Sequence, residues 1–175
     1  TARAENRNSY NYTSARITTQ NKFQFRYGRV EVRAKLPEGG GTWPAIWMLG
    51  SNINQVGWPK CGEIDIMEHT GNNPGRVSAA THDEFFHGGN ARYFWTDINN
   101  VSTQFHIYSF EWDENGMDFA VDGNVFFTSP NNGDLPYNQD FFFILNIAMG
   151  GNLGGNIDPN FQSGSMEIDY IRVYQ

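Results

Sequence analysis

Arg29-Val30-Glu31-Val32-Arg33-Ala34-Lys35-Leu36 alternates without a break. Successive side chains of a strand point to opposite faces. Val30, Val32, Ala34 and Leu36 therefore share one face, and Arg29, Glu31, Arg33 and Lys35 share the other. This is the pattern of a strand buried on one side and solvated on the other. Pro37-Glu38-Gly39-Gly40-Gly41 ends it. Further along, Phe105–Trp112 and Met117–Val121 read as strands joined by Asp113-Glu114-Asn115-Gly116, with Asn-Gly expected to supply positive φ. Asp122-Gly123 marks the next tight turn, into Val125-Phe126-Phe127. The apolar run Phe141–Ile147 suits a strand covered on both faces, and Glu167–Tyr174 reads as the last strand. No apolar stripe of 3.6-residue period reaches helix length. The expected fold is all-β, an antiparallel β-sandwich or barrel.

Composition narrows the function. The chain has 175 residues, a one-domain length that buries a core without staples. Its 27 aromatic residues (14 Phe, 8 Tyr, 5 Trp) favour strands or a stacking surface. A net charge of −7 lacks the basic footprint of a nucleic-acid binder, and the basic patch that docks proteins on anionic lipid. No apolar run is long enough to span a membrane as a helix. The single cysteine, Cys61, allows no internal disulfide and no multi-thiolate zinc site. Thr1 is not a start methionine, so a processed chain or a fragment is expected.

Cys61-Gly62-Glu63-Ile64-Asp65-Ile66-Met67-Glu68-His69 carries three carboxylates within six residues of an apolar strand. Glu63 and Asp65 share a face, with Ile64 and Ile66 turned to the core. Strict alternation would bury Glu68, which is costly for an unpaired carboxylate. A β-bulge at Met67 would return Glu68 to the face of the other two acids. Three adjacent carboxylates repel, and their pKa values should rise. Glycoside hydrolysis uses such a set, with one carboxylate attacking the sugar and a second, kept protonated, donating to the leaving oxygen. The Cα atoms of Glu63 and Glu68 would lie roughly 13–16 Å apart along a strand, so the side chains must lean together. A metal site or a solvated acidic face is the other reading. Trp43 and Trp47, four apart in Gly41–Leu49, share a strand face, and Trp58 follows. Trp faces stack on pyranose rings; packing into the core is their alternative use.

These runs resemble glycoside hydrolase family 16, the jelly-roll β-glucanases. The resemblance rests on Tyr12–Arg16, Tyr27–Ala34, Trp43-Pro44-Ala45-Ile46-Trp47, Gly62–His69 and Asp169–Tyr174, nearly the whole chain. The Glu-x-Asp-x-x-Glu form with its inserted Met is similar to the laminarinase-like branch. The resemblance implies Glu63 as nucleophile, Glu68 as general acid/base and Asp65 as the group that tunes Glu63. It implies Trp43, Trp47 and Trp58 as cleft aromatics and Arg16 as a cleft arginine. His82 either supports Glu68 or is a hydrogen-bonded core histidine. Asn146 is either a polar cleft residue or a core amide. Asp169 matches a structural-calcium ligand in the family, with an exposed strand aspartate as the alternative. No cofactor is implied for catalysis.

The implied substrate is a β-1,3-glucan cut internally by double displacement, from a secreted and monomeric protein. Agar or carrageenan are further substrates of this branch. A non-catalytic glucan-recognition module and a glucan transglycosylase are the competing functions, and the presence of both Glu63 and Glu68 favours an enzyme over a binder. The family domain has several strands ahead of the Tyr12–Arg16 run, where this chain has 11 residues. The expectation is a single catalytic domain over 1–175, truncated at its N-terminus.

Overall fold

The computed structural model describes residues 1–175 and contains fourteen strands. In chain order they are β1 (Ala2–Arg7), β2 (Tyr10–Thr13), β3 (Arg16–Thr18), β4 (Gly28–Lys35), β5 (Thr42–Gly50), β6 (Glu63–His69), β7 (Arg76–His82), β8 (Arg92–Asp97), β9 (His106–Trp112), β10 (Gly116–Val121), β11 (Asn124–Pro130), β12 (Phe141–Met149), β13 (Ser163–Gly164) and β14 (Glu167–Tyr174). Helix is confined to two four-residue α turns, α1 (Ile53–Val56) and α2 (Gly151–Gly154), and a short 3-10 turn at Gly88–Asn90. No helix is long and apolar enough to cross a membrane.

Two antiparallel sheets face each other, in the order β3-β12-β5-β6-β7-β8 and β11-β10-β9-β4-β14, and a small sheet β13-β1-β2 sits beside them. This is the expected β-sandwich of jelly-roll type. Val30, Val32, Ala34 and Leu36 are all at most 1% exposed, so the alternation of β4 sets the core-facing side of the five-stranded sheet. Against them pack Ile46, Met48, Ile64 and Val77 of the six-stranded sheet. β12 is covered on both sides, as its sequence requires. Phe141, Phe143 and Leu145 join the main core, while Phe142 and Ile144 pack outward with Leu49 and Cys61.

The turns divide by chemistry. Asp122 and Gly123 have φ of 50° and 80° and close the β10–β11 hairpin, so the glycine is needed there. The β9–β10 hairpin forms as expected, but not through positive φ at Asn115-Gly116. Asp113 Oδ1 instead accepts the backbone N–H groups of Asn115 and Gly116 at 2.7 and 3.0 Å, so an aspartate side chain closes the turn.

The bulge in β6 is present. Trp47 pairs with Asp65 while the adjacent Ile46 pairs with Met67, and on the other side Asp65 and Glu68 pair with Ala80 and Ser78. The extra residue sends the consecutive side chains of Ile66 and Met67 into the core, 2% and 1% exposed. Met67 thus fills the space beneath the acid row. Met67→Ala is expected to destabilise the fold by about 2–4 kcal/mol through the cavity it leaves, read as a lower urea midpoint at unchanged slope.

Candidate active site

The outer face of the six-stranded sheet carries the site. Strand pairing lays a continuous row across it: Arg16 opposite Asn146, Asn146 opposite Ala45, Ala45 opposite Glu68, and Glu68 opposite Ser78. A second row joins Trp47, Asp65 and Ala80. Directly opposed residues share a face. All three acids therefore project to one side, where they line a cleft of about 420 Å³ with Arg16, Trp43, Trp47 and Asn146.

Each acid receives one N–H. Trp58 Nε1 donates to Glu63 Oε2 at 2.7 Å, and Trp43 Nε1 donates to Glu68 Oε1 at 2.9 Å. His82 Nε2 lies 3.0 Å from Asp65 Oδ2 and 3.8 Å from Glu63 Oε1. The backbone N–H of Gly88 points at His82 Nδ1 at 3.1 Å. Nδ1 must then be the acceptor, which places the ring proton on Nε2, facing Asp65. Asp83 holds the intervening loop by accepting the N–H groups of Phe85 and Phe86 and pairing with Arg92.

His82 therefore makes no hydrogen bond to Glu68, the role one of its two readings gave it, and lies against Asp65 and Glu63 instead. Register pairs it with Glu63, at the opposite end of the row. Asn146 is a cleft residue: its Oδ1 accepts from Trp47 Nε1 at 2.7 Å, and the Arg16 guanidinium lies 4.8 Å from the Trp47 ring centroid. Trp47 is thus held by two polar groups that share its cleft. Ser14 and Ala15, within the Tyr12–Arg16 run, and Ile147 and Ala148 also line the cleft, though none has a side chain that sequence reading would single out.

Asp169 lies outside the cleft, on β14 of the other sheet. Its Oδ2 accepts from Arg33 Nη1 at 2.7 Å, and Lys35 pairs with the neighbouring Glu167 at 2.8 Å. Calcium takes six to eight oxygen ligands. Two cationic side chains beside this strand do not fit that ion. The metal-ligand types that do converge are Glu63, Asp65 and His82, with one donor atom each within 4.8 Å of the others. Among these oxygens, those of Glu63 and Asp65 facing Trp58 and His82 are already hydrogen-bonded.

Burial dominates the electrostatics. The Glu63 carboxyl is pushed up to about 8, by burial first and by Asp65 second, against the pull of His82 and the Trp58 N–H. Asp65 is raised by burial and then by Glu68; Glu68 is raised by burial, and the Trp43 N–H opposes the rise. At neutral pH the cluster holds protons that exposed carboxyls would have released. An arrangement of this kind offers both a carboxylate and a proton donor within one cleft.

A stability consequence follows for Glu63. The folded state binds its proton more tightly than the unfolded chain does, so stability falls as pH rises from the ordinary carboxylate range toward 8. Glu63→Gln removes that cost. The variant is expected to be more stable than the parent at pH 8, by about 1–3 kcal/mol, and to match it near pH 4. Thermal unfolding at the two pH values checks this; a variant less stable at pH 8 contradicts it.

The sequence profile of Glycosyl hydrolases family 16 matches residues 4–172. The chain is 37% identical over 183 residues to glucan endo-1,3-beta-glucosidase A1 of Niallia circulans, covering 94% of this chain and 26% of that protein. The X-ray structure of the laminarinase from Rhodothermus marinus superposes with a TM-score of 0.94 at 39% identity, covering 99% of this chain and 75% of that one. Laminarinase from Flavobacterium sp. UMI-01 superposes with a TM-score of 0.92 at 46% identity, covering 99% and 76%. The chain spans between about a quarter and two thirds of the length of the curated relatives it matches, at 26%, 66% and 27% of the first three.

Proposed function

The chain belongs to glycosyl hydrolases family 16, and on that premise we propose that it is a retaining endo-hydrolase of β-1,3-linked glucan. The observation that carries this reading is the acid row. Glu63, Asp65 and Glu68 line one cleft, each with its own N–H donor, beside indole rings suited to pyranose faces.

In the mechanism, Glu68 protonates the glycosidic oxygen while Glu63 attacks the anomeric carbon. The C–O bond to the leaving sugar breaks, and a covalent glycosyl ester forms on Glu63. Glu68, now a carboxylate, takes a proton from water, which attacks the anomeric carbon and frees Glu63. The reactive form needs Glu63 ionised and Glu68 protonated. Asp65, the most buried of the three, is the place to keep a proton displaced from Glu63, and the Trp58 N–H favours the ionised nucleophile. At alkaline pH the cluster loses the proton that Glu68 must give, and activity falls.

Laminarin is the substrate to expect, because solved structures similar to this chain are named laminarinases. A sulfated galactan would call for a basic cleft, and a chain of net charge −7 offers no support for one. A polymer of this size is met outside cells, which supports a secreted enzyme. The test is release of reducing ends from laminarin, mixed-linkage glucan and agarose in parallel. Cleavage of laminarin to a ladder of oligosaccharides is the expected result. Binding without cleavage would favour the recognition module, and longer products than substrates would favour transglycosylation.

A further inference from the structure

The row of opposed residues that carries the acids does not stop at β7. Ser78 is paired with Trp95 of β8, and Ala80 with Tyr93. The complete rows thus read Arg16, Asn146, Ala45, Glu68, Ser78, Trp95, and beside it Trp47, Asp65, Ala80, Tyr93. Trp95 and Tyr93 therefore share the cleft face, two strand spacings or about 10 Å beyond β6. They lie on the opposite side of the acids from Trp43 and Trp47. Between lies a floor of small side chains, Ser78 and Ala80, both buried at 5% and 2% exposed.

Both aromatic side chains are exposed, Tyr93 by 45% and Trp95 by 37%. β8 is the edge of its sheet. Neighbouring aromatic side chains exposed on an edge strand are an association hazard unless they serve a ligand. Trp95 is also held in place. The Arg76 guanidinium sits 3.3 Å from its ring centroid, and Arg76 Nε is buried and lies 3.5 Å from Asp97 Oδ1. The Phe94 ring lies nearly parallel to the Trp95 indole, 6.4 Å between centroids, and an indole held by a cation and a ring, with area left to solvent, is a pre-formed stacking surface.

We propose that Tyr93 and Trp95 form a second sugar-binding platform, which takes the stretch of the polysaccharide lying across the acids from the Trp43/Trp47 cleft. The occupant is the same glucan chain, because the platform is continuous with the acid row on one sheet face and neutral floor residues connect the two. This inference rests on the glucan reading above. Sugar units on the platform add affinity only when the chain is long enough to cover both sides of the acids, so affinity rises with length.

The test uses the Glu63→Gln chain, so that binding is read without turnover. Affinities are measured calorimetrically for laminari-, cello- and agaro-oligosaccharides of two to seven units, in that background and with Trp95→Ala, Trp95→Phe or Tyr93→Ala added. Thermal unfolding verifies that each variant is folded. The expected result is that the heptaose-to-biose affinity ratio falls about tenfold in Trp95→Ala, a loss typical of an anchoring aromatic, and is largely restored in Trp95→Phe. Tyr93→Ala should lower the same ratio, and it stands in should Trp95→Ala fail to fold. An unchanged ratio in the alanine variants overturns the proposal. A uniform loss at every length also overturns it, because that marks a structural role. Binding of the cello or agaro series alone overturns the β-1,3-glucan reading, and the platform is then judged by the same ratio in that series. Binding of none of the three overturns both.

Discussion

Glu63→Gln is expected to lower the rate of laminarin hydrolysis by on the order of 10⁴–10⁶-fold, the scale on which a lost covalent nucleophile acts. Glutamine keeps the shape of the side chain and can still receive the Trp58 N–H through its carbonyl oxygen. It cannot form the glycosyl ester. Two readouts separate this from unfolding. The variant should be more stable than the parent at pH 8, since the buried carboxyl that is pushed up to about 8 is gone. It should also retain affinity for laminari-oligosaccharides. Residual activity above about one part in a hundred, on the scale of single-group contributions, would remove Glu63 from the nucleophile's role.

Glu68→Gln should cost about 10²–10⁴-fold on laminarin, the usual contribution of a general acid. Its signature is the leaving group. An activated aryl glycoside departs without needing a proton, so formation of the glycosyl ester should be nearly as fast in Glu68→Gln as in the parent. Its breakdown should be slow, because Glu68 is also the base. A burst of aryl alcohol followed by slow turnover is therefore expected from Glu68→Gln, and none from Glu63→Gln. The neighbourhood supports this division. Glu68 Oε1 is held by Trp43 and faces the row of cleft residues, while Glu63 sits at the start of β6 beside His82.

Much of this site was legible in the sequence because the physics is local. A carboxylate that alternation would bury forces a bulge, and the bulge at Met67 follows from the cost of burying Glu68 unpaired. The core face of β4 follows from period-two alternation alone. What was not legible depends on register between distant segments. His82 lies 14 residues after Glu68 in sequence, and only the pairing of β6 with β7 shows that it meets Asp65 and Glu63 instead. The Gly88 N–H that fixes its tautomer belongs to a loop with no motif. β8, Arg-Tyr-Phe-Trp-Thr-Asp, has aromatics at three consecutive positions and so no alternation to read. The hairpin at Asp113–Gly116 shows a finer failure. Asn-Gly suggested one turn chemistry, while the aspartate two residues earlier supplied another. At Asp169 the strand was foreseen, but not the Arg33 guanidinium across β4 that occupies its carboxylate.

The central claim, that Glu63 and Glu68 act by double displacement on a β-linked glucan, is tested most directly by the stereochemistry of the first product. Proton NMR of laminari-oligosaccharide cleavage, followed from the earliest minutes before mutarotation, reports the anomer at each new reducing end. Two inversions at the anomeric carbon return it to its starting configuration, so the β-anomer is expected to appear first and the α-anomer only later. Initial appearance of the α-anomer would mean a single displacement by water, and would contradict the account.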